Sequence, residues 1–282
     1  MTTAPICVTC GVQTAPGESL PDCGVQTAPG EPPPDCVICD DERQYLRPEG
    51  QRWTTGPAMI TDGYRNDLHP IEPGLTGLVT RPSFAIGQRA LLIATPDGNL
   101  LWDCVSLVDD DTVAGLQALG GVAVIATSHP HFHGAMVELA LALGARVLVP
   151  EADAGWVQRP DPRVVRTWSD VKTVLPGVTL VQCGGHFDGS AVAHWAGGAE
   201  GRGALLVSDT AAVAADRRHV SFMRSYPNMI PLPGRTVREI AGRMLRLPFD
   251  RVYGAWPGRV IDTGGREAVR RSADRYLLWV RP

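Results

Sequence analysis

Three imidazoles fall at alternate positions in Ser128-His129-Pro130-His131-Phe132-His133-Gly134. In an extended loop residues i, i+2 and i+4 point the same way, so His129, His131 and His133 can converge. Imidazole is the commonest ligand for borderline metals. Three of them leaving the apolar run Val122 to Thr127 read as a metal-binding loop rather than as packing. Two more polar clusters could complete the site. In Cys183 to Ser190, Gly184 and Gly185 precede His186 and permit a sharp turn close to a ligand. In Leu205 to Thr210, Asp209 ends an apolar strand, where a buried carboxylate must be paired or coordinated. Taken alone, Asp209 reads better as the N-cap of a following helix.

A second constellation lies near the N-terminus. Cys7-Val8-Thr9-Cys10-Gly11 and Cys36-Val37-Ile38-Cys39 are two CxxC pairs. Each such turn aims two thiolates at one metal, and paired CxxC is the strong form of the zinc-knuckle signal. Between them runs a tandem repeat, Gly11 to Cys23 and Gly24 to Cys36, differing only at Ser19-Leu20 against Pro32-Pro33. It reads as a duplication that lengthened one loop, which costs only about 0.6 kcal/mol per doubling. Cys23 is the copy of Cys36 without a second cysteine three residues on, and is expected to be free.

The elements that must position these residues follow from pattern. Residues 1–45 are Pro-, Gly- and Cys-rich with little periodicity, and are expected to form a small knuckle; residues 46–282 form the main domain. From about residue 70 strands are predicted over Phe84 to Thr95 and Leu100 to Val105, joined by a Pro-Asp-Gly-Asn turn into a hairpin. Further strands are expected at Val122 to Thr127, Val147 to Val149, Val178 to Cys183, Ala191 to Trp195 and Ala204 to Val207. Helices are predicted at Asp111 to Leu119, Ala135 to Leu143 (ended by Gly144), Thr236 to Leu245 and Glu267 to Leu278. Antiparallel strands come first and alternating elements later, so the class is α/β with α+β character, sheet on sheet with helices outside.

A strand ending in His-x-His, then Gly-Gly-His, then Ser-Asp-Thr, in this order, resembles the metallo-β-lactamase superfamily over roughly residues 70–262. The hairpin Ile86 to Leu92 and Leu100 to Asp103 is similar to its N-terminal strands. The resemblance implies an αββα sandwich with a metal site at one edge of the sheets. It implies that His129, His131 and His186 hold a first metal and that Asp209 matches the carboxylate that bridges to a second. The chain departs from the family pattern His-x-His-x-Asp-His: His133 stands at the Asp position and Gly134 at the last His. The final family histidine is also missing, since no His follows His219. A mononuclear centre is therefore expected. His133 is left as a stray ligand or a proton carrier, and His133, Asp188 or Asp209 could handle the catalytic proton. The N-terminal pairs resemble a zinc ribbon or rubredoxin. Zinc is expected at both sites, and iron would suit either.

Bulk properties narrow the partners. A net charge of −4 over 282 residues gives no footprint for nucleic acid. No apolar run suits a membrane span and Met1 to Cys10 does not read as a signal peptide, so a cytoplasmic address is expected, where thiols stay reduced. The oligomeric state is not legible. The predicted function is metal-dependent hydrolysis of a small acyl substrate (ester, thioester, lactone or similar) by a metal-activated water. The alternatives are a mononuclear non-haem iron oxidoreductase with a rubredoxin-like centre, and a non-catalytic scaffold. Among single residues, Cys104 and Cys183 are expected in the core, and Arg224, Tyr226 and Asn228 on a loop that either lines the pocket or merely crosses the surface.

Overall fold

The computed structural model describes residues 2–15 and 32–280. Cys23 and most of the tandem repeat lie outside these residues. Two sheets pack face to face. The first has seven strands in the order Arg65–Glu72, Leu75–Arg81, Arg89–Thr95, Gly98–Trp102, Val124–Ala126, Arg146–Pro150 and Val165–Trp168. Its first four are antiparallel neighbours, and from Gly98–Trp102 onward the pairings are parallel. The second sheet orders Val171–Leu175, Val178–Gln182, Ala191–Trp195, Ala204–Leu206, Arg251–Tyr253 and Val260–Ile261.

Period-two alternation decides which side chains go where. Leu100, Trp102, Val124 and Ala126 face the second sheet and meet Leu180, Ala193, Leu206 and Tyr253. Leu101 and Ile125, one residue out of phase, face the helices Asp110–Ala118 and Met136–Leu143. On the far side, Leu205 and Val252 are covered by Gly234–Met244 and Gly265–Trp279 through Val237, Ile240 and Val269. The result is the expected αββα sandwich.

The differences from expectation are local. The strand predicted from Phe84 starts only at Arg89, because Ala85 (φ 51°) and Gly87 (φ 72°) turn the chain back and the Gly87 amide donates to the Phe84 carbonyl. Arg65–Glu72 escaped prediction because it is only half-buried and carries Pro70, which blurs the alternation. No helix follows Asp209: residues 208–211 form a turn, so its carboxylate caps nothing. Helix Met136–Leu143 does end at Gly144 in the left-handed conformation, as read from the sequence.

The N-terminal segment is bound along the first sheet's helical side. Ile6–Cys7 pairs antiparallel with Trp53–Thr54, across residue 45. The Gln13 amide donates to the Gly134 carbonyl at 3.0 Å. Glu138, on helix Met136–Leu143, accepts from the Thr2 amide at 2.7 Å, from the Thr2 hydroxyl and the Gln13 side chain at 2.6 Å each, and from Arg159 at 3.3 Å. Among the described residues no helix is long and apolar enough to cross a membrane.

Candidate metal centres

His129, His131, His186 and Asp209 meet at the end of the sandwich where several strands finish. Each offers one ligand atom, and these atoms all lie within 4.8 Å of one another. His129 follows strand Val124–Ala126, and His131 sits on the short 3₁₀ turn Pro130–Phe132. His186 follows Gly184 (φ 71°) and Gly185 (φ 95°), the left-handed pair that turns the chain back after Val178–Gln182. Asp209 follows Ala204–Leu206.

The geometry suits a cation. His129 Nε2 lies 3.5 Å and His186 Nε2 3.9 Å from Asp209 Oδ2, and His186 Nε2 lies 3.3 Å from His131 Nδ1. Ligands about 2.1 Å from a tetrahedral zinc would stand about 3.4 Å apart. The ring atoms are also prepared as donors to a metal. His186 Nδ1–H donates to the Met223 carbonyl at 3.1 Å, which leaves Nε2 with its lone pair inward. His129 Nδ1 is engaged by Ser128 Oγ at 2.8 Å. His129 Nε2 and Asp209 Oδ1 are buried without any hydrogen-bond partner. Burial pushes His129 and His186 down to about 3, so both rings stay neutral, as ligation requires. Burial likewise raises Asp209 to about 6, opposed by the nearby His186.

The loops that carry His129 and Asp209 are held by one side chain that the sequence did not single out. Asp103, at φ 64°, ends strand Gly98–Trp102. Its Oδ1 accepts from the Ser128 amide at 2.7 Å, and its Oδ2 accepts from the Ser208 hydroxyl. Ser208 in turn accepts from Trp102 Nε1 at 3.2 Å. Ser128 and Ser208 each precede a proposed ligand, so Asp103 fixes the spacing of His129 and Asp209. Burial raises its carboxyl to about 7, against the Ser208 and Ser128 hydrogen bonds. Asp103→Ala is expected to weaken metal binding at this site about 10- to 100-fold, read by competition with a chelator. Unchanged affinity would mean that the strands alone hold the loops.

The remaining sequence candidates divide. His133 is buried, with both ring nitrogens unpartnered, but it stands outside the four-residue group, beside Gln13 and Gln158. Asp188 is exposed, and its carboxylate is not drawn into the cluster. Gly134 (φ 49°) presses against the Cys104–Val105 backbone, where any Cβ would collide. Tyr226 stacks at 5.7 Å from His186, and its hydroxyl accepts from the Ala212 amide. Cys104 and Cys183 are packed among apolar side chains, and burial raises both thiols to about 12.

The second centre gathers Cys7, Cys10, Cys36 and Cys39, all buried. Cys7 and Cys39 sulfurs stand 3.6 Å apart and Cys10 and Cys36 sulfurs 3.7 Å, well beyond a disulfide. Thiolates about 2.3 Å from a tetrahedral ion would be about 3.8 Å apart, so the four fit one metal. Gly11 (φ 82°) makes the first turn, its amide donating to the Cys7 carbonyl at 2.9 Å. The second pair opens the short helix Val37–Asp40. The surrounding thiols, Cys10 first, pull Cys7 below the ordinary thiol range.

Sequence reasoning passed over Arg43, which the segment after this helix carries to the histidine site. Its guanidinium lies 4.2 Å from the centre of the Phe187 ring and 5.7 Å from that of Trp156. Phe187 in turn lies 5.0 to 5.8 Å from the rings of His131, His186 and His129. The signal was weak, because a single arginine after a knuckle has no periodicity to betray its contacts.

Sandwich and site together define a metallo-β-lactamase-fold protein with an N-terminal four-cysteine knuckle. Solved structures agree on the fold. The SMB-1 metallo-β-lactamase in complex with mercaptoacetic acid is similar with TM-score 0.53 and 19% identity over 76% of this chain and 95% of that one. VMB-1 gives 0.59 and 12% identity over 77% and 99%, and the DIM-1 metallo-β-lactamase 0.57 and 12% over 75% and 98%. No family model matches the chain. The uncharacterized protein YmaE of Bacillus subtilis (strain 168) is 45% identical over 274 residues, 96% of this chain and 95% of that protein. The chain belongs to the YmaE family.

Proposed function

We propose that the protein is a mononuclear metal-dependent hydrolase of a small acyl substrate, with His129, His131, His186 and Asp209 as ligands. The observation that supports it most is the convergence of three buried imidazoles and one carboxylate, with unpartnered inward atoms, at the end of the sandwich. A zinc ion held by these four residues would supply Lewis acidity, for acidifying water and polarising an acyl oxygen. The chain's own groups do the rest. Met223 and Ser128 orient the rings, Asp103 sets the loop spacing, and Phe132, Phe187 and Tyr226 exclude bulk water around the imidazoles. Asp209, within the cluster, and His133, buried but outside it, are the proton-handling candidates. Asp188 is the weaker one, given its exposure.

The Cys7–Cys10–Cys36–Cys39 site is proposed as a separate structural zinc centre, organising a unit of roughly residues 1–45 against a main domain of residues 46–282. Elemental analysis of the full chain should then give about two metals per chain, with zinc at both sites. Hydrolysis of a panel of activated esters, thioesters and lactones should vanish when the ion of the histidine site is removed. Three metals per chain would overturn the mononuclear assignment. Coloured protein with iron in the histidine site and no acyl hydrolysis would replace the hydrolase by an oxidoreductase.

A further inference from the structure

We propose that Arg43 is the residue by which this site recognises a negative charge on its substrate, so that anionic acyl compounds are the substrate class. The inference deepens the hydrolase reading and relies on it only for the word substrate.

Arg43 is held with unusual care for a residue outside regular structure. The Asn228 side chain donates to the Glu42 carbonyl at 2.9 Å and to the Gln44 carbonyl at 2.7 Å, and Ser225 Oγ donates to the Arg43 carbonyl at 3.1 Å. Arg224 pairs with Glu42. Both neighbours of Arg43 and its own peptide are thus pinned to residues 224–228, next to Met223, whose carbonyl orients His186. The knuckle helix fixes the same segment from the other end.

The side chain so positioned is about nine-tenths buried, at 9% relative exposure. A guanidinium is always charged, and burying it without full pairing is costly. Only Nη1 has a carboxylate, Asp41 at 2.9 Å, and the buried Nε has no partner at all. The planar group lies over Phe187, whose ring touches all three imidazoles, so a cation stands one side chain away from the metal ligands. A ligand that places one donor on the metal and a carboxylate or phosphate far enough out to pass the Phe187 ring would meet the guanidinium, whose planar fork suits such groups.

The competing account is packing alone, in which Arg43 merely stacks on Phe187 and Trp156. Two small probes separate them: mercaptopropionate and its alcohol, mercaptopropanol. Both bring a thiolate to the metal, and only the first adds a carboxylate. Isothermal titration of the metal-loaded full chain should show the acid binding at least about tenfold more tightly than the alcohol, with the preference falling as salt rises. Arg43→Met, which keeps an apolar stem on Phe187, should erase that preference and leave the alcohol within about twofold of wild type. Arg43→Lys should recover part of it. A wild type that does not distinguish the probes, or an Arg43→Met variant that keeps the preference, overturns the proposal. Both comparisons are independent of turnover. If no acyl compound is hydrolysed while the probes behave as stated, the hydrolase reading fails and the anion site stands.

Discussion

His131→Ala is expected to lose acyl-hydrolysing activity by more than about 100-fold while still melting in one cooperative transition. The imidazole belongs to a 3₁₀ turn at the end of the sandwich and to none of the apolar clusters between sheets and helices. Those clusters, built on Leu101, Ile125, Leu205 and Leu206, carry the burial that holds the fold. What disappears is one of three neutral nitrogen donors. Disturbing groups that merely orient a ligand already costs about 10- to 100-fold in affinity or activity, so deleting the ligand sets the lower bound. Stability should fall chiefly by lost linkage, about 2.7 kcal/mol if metal at 100 times the dissociation constant no longer binds. Differential scanning calorimetry with and without chelator measures this. With a chelator mild enough to leave the four-cysteine site loaded, the treated wild type should resemble the variant, and the variant should not respond. Near-wild-type turnover with the metal gone would remove the metallohydrolase reading.

Cys36→Ser is expected to release the knuckle metal and loosen the segment around Cys36–Asp40, while Thr2 and Gln13 stay bonded to Glu138. The thiolate cluster has little else to hold it: Val12, Ile38 and the flanking Val37, Trp53 and Trp156 are too few for an independent core. Structural zinc in small cysteine sites contributes apparent binding energies on the order of 10–16 kcal/mol, which here would be the stability of the segment itself. Zinc release, followed with a chromogenic chelator, should accompany new proteolytic cleavage after residue 32, while the αββα sandwich still melts cooperatively. Cys23→Ser should do neither, because Cys23 lacks a partner three residues on; its surroundings lie outside the described residues. If Cys23→Ser released the metal and Cys36→Ser did not, the ligand set would be wrong.

How far the sequence could be read depended on whether a feature was local. Helix Met136–Leu143 and its glycine stop, the strand Ala191–Trp195 and the spacing of both CxxC pairs are written in consecutive residues. The meeting of His129, His131, His186 and Asp209 could be anticipated only from the order of three motifs, since the loops that bring them together span 80 residues between His129 and Asp209. Asp103 was not legible as an anchor, because its role depends on two serines that follow it by 25 and 105 positions. Arg43 was not legible because a non-local clamp, Asn228, turns it toward Phe187. Sequence pattern also misjudged Phe84 to Gln88, where left-handed residues break an apolar run that alternates like a strand.

The tight seat of Gly134 bears on how this lineage can change. With its φ at 49° and the Cys104–Val105 peptide against its α-carbon, residue 134 cannot acquire an imidazole by a single codon replacement. The backbone of the neighbouring strand exit would have to move first, and that movement would disturb Asp103, on which the loops of His129 and Asp209 both hang. Any enlargement of the ion site would instead draw on His133, an imidazole already in the protein's interior with both nitrogens uncommitted.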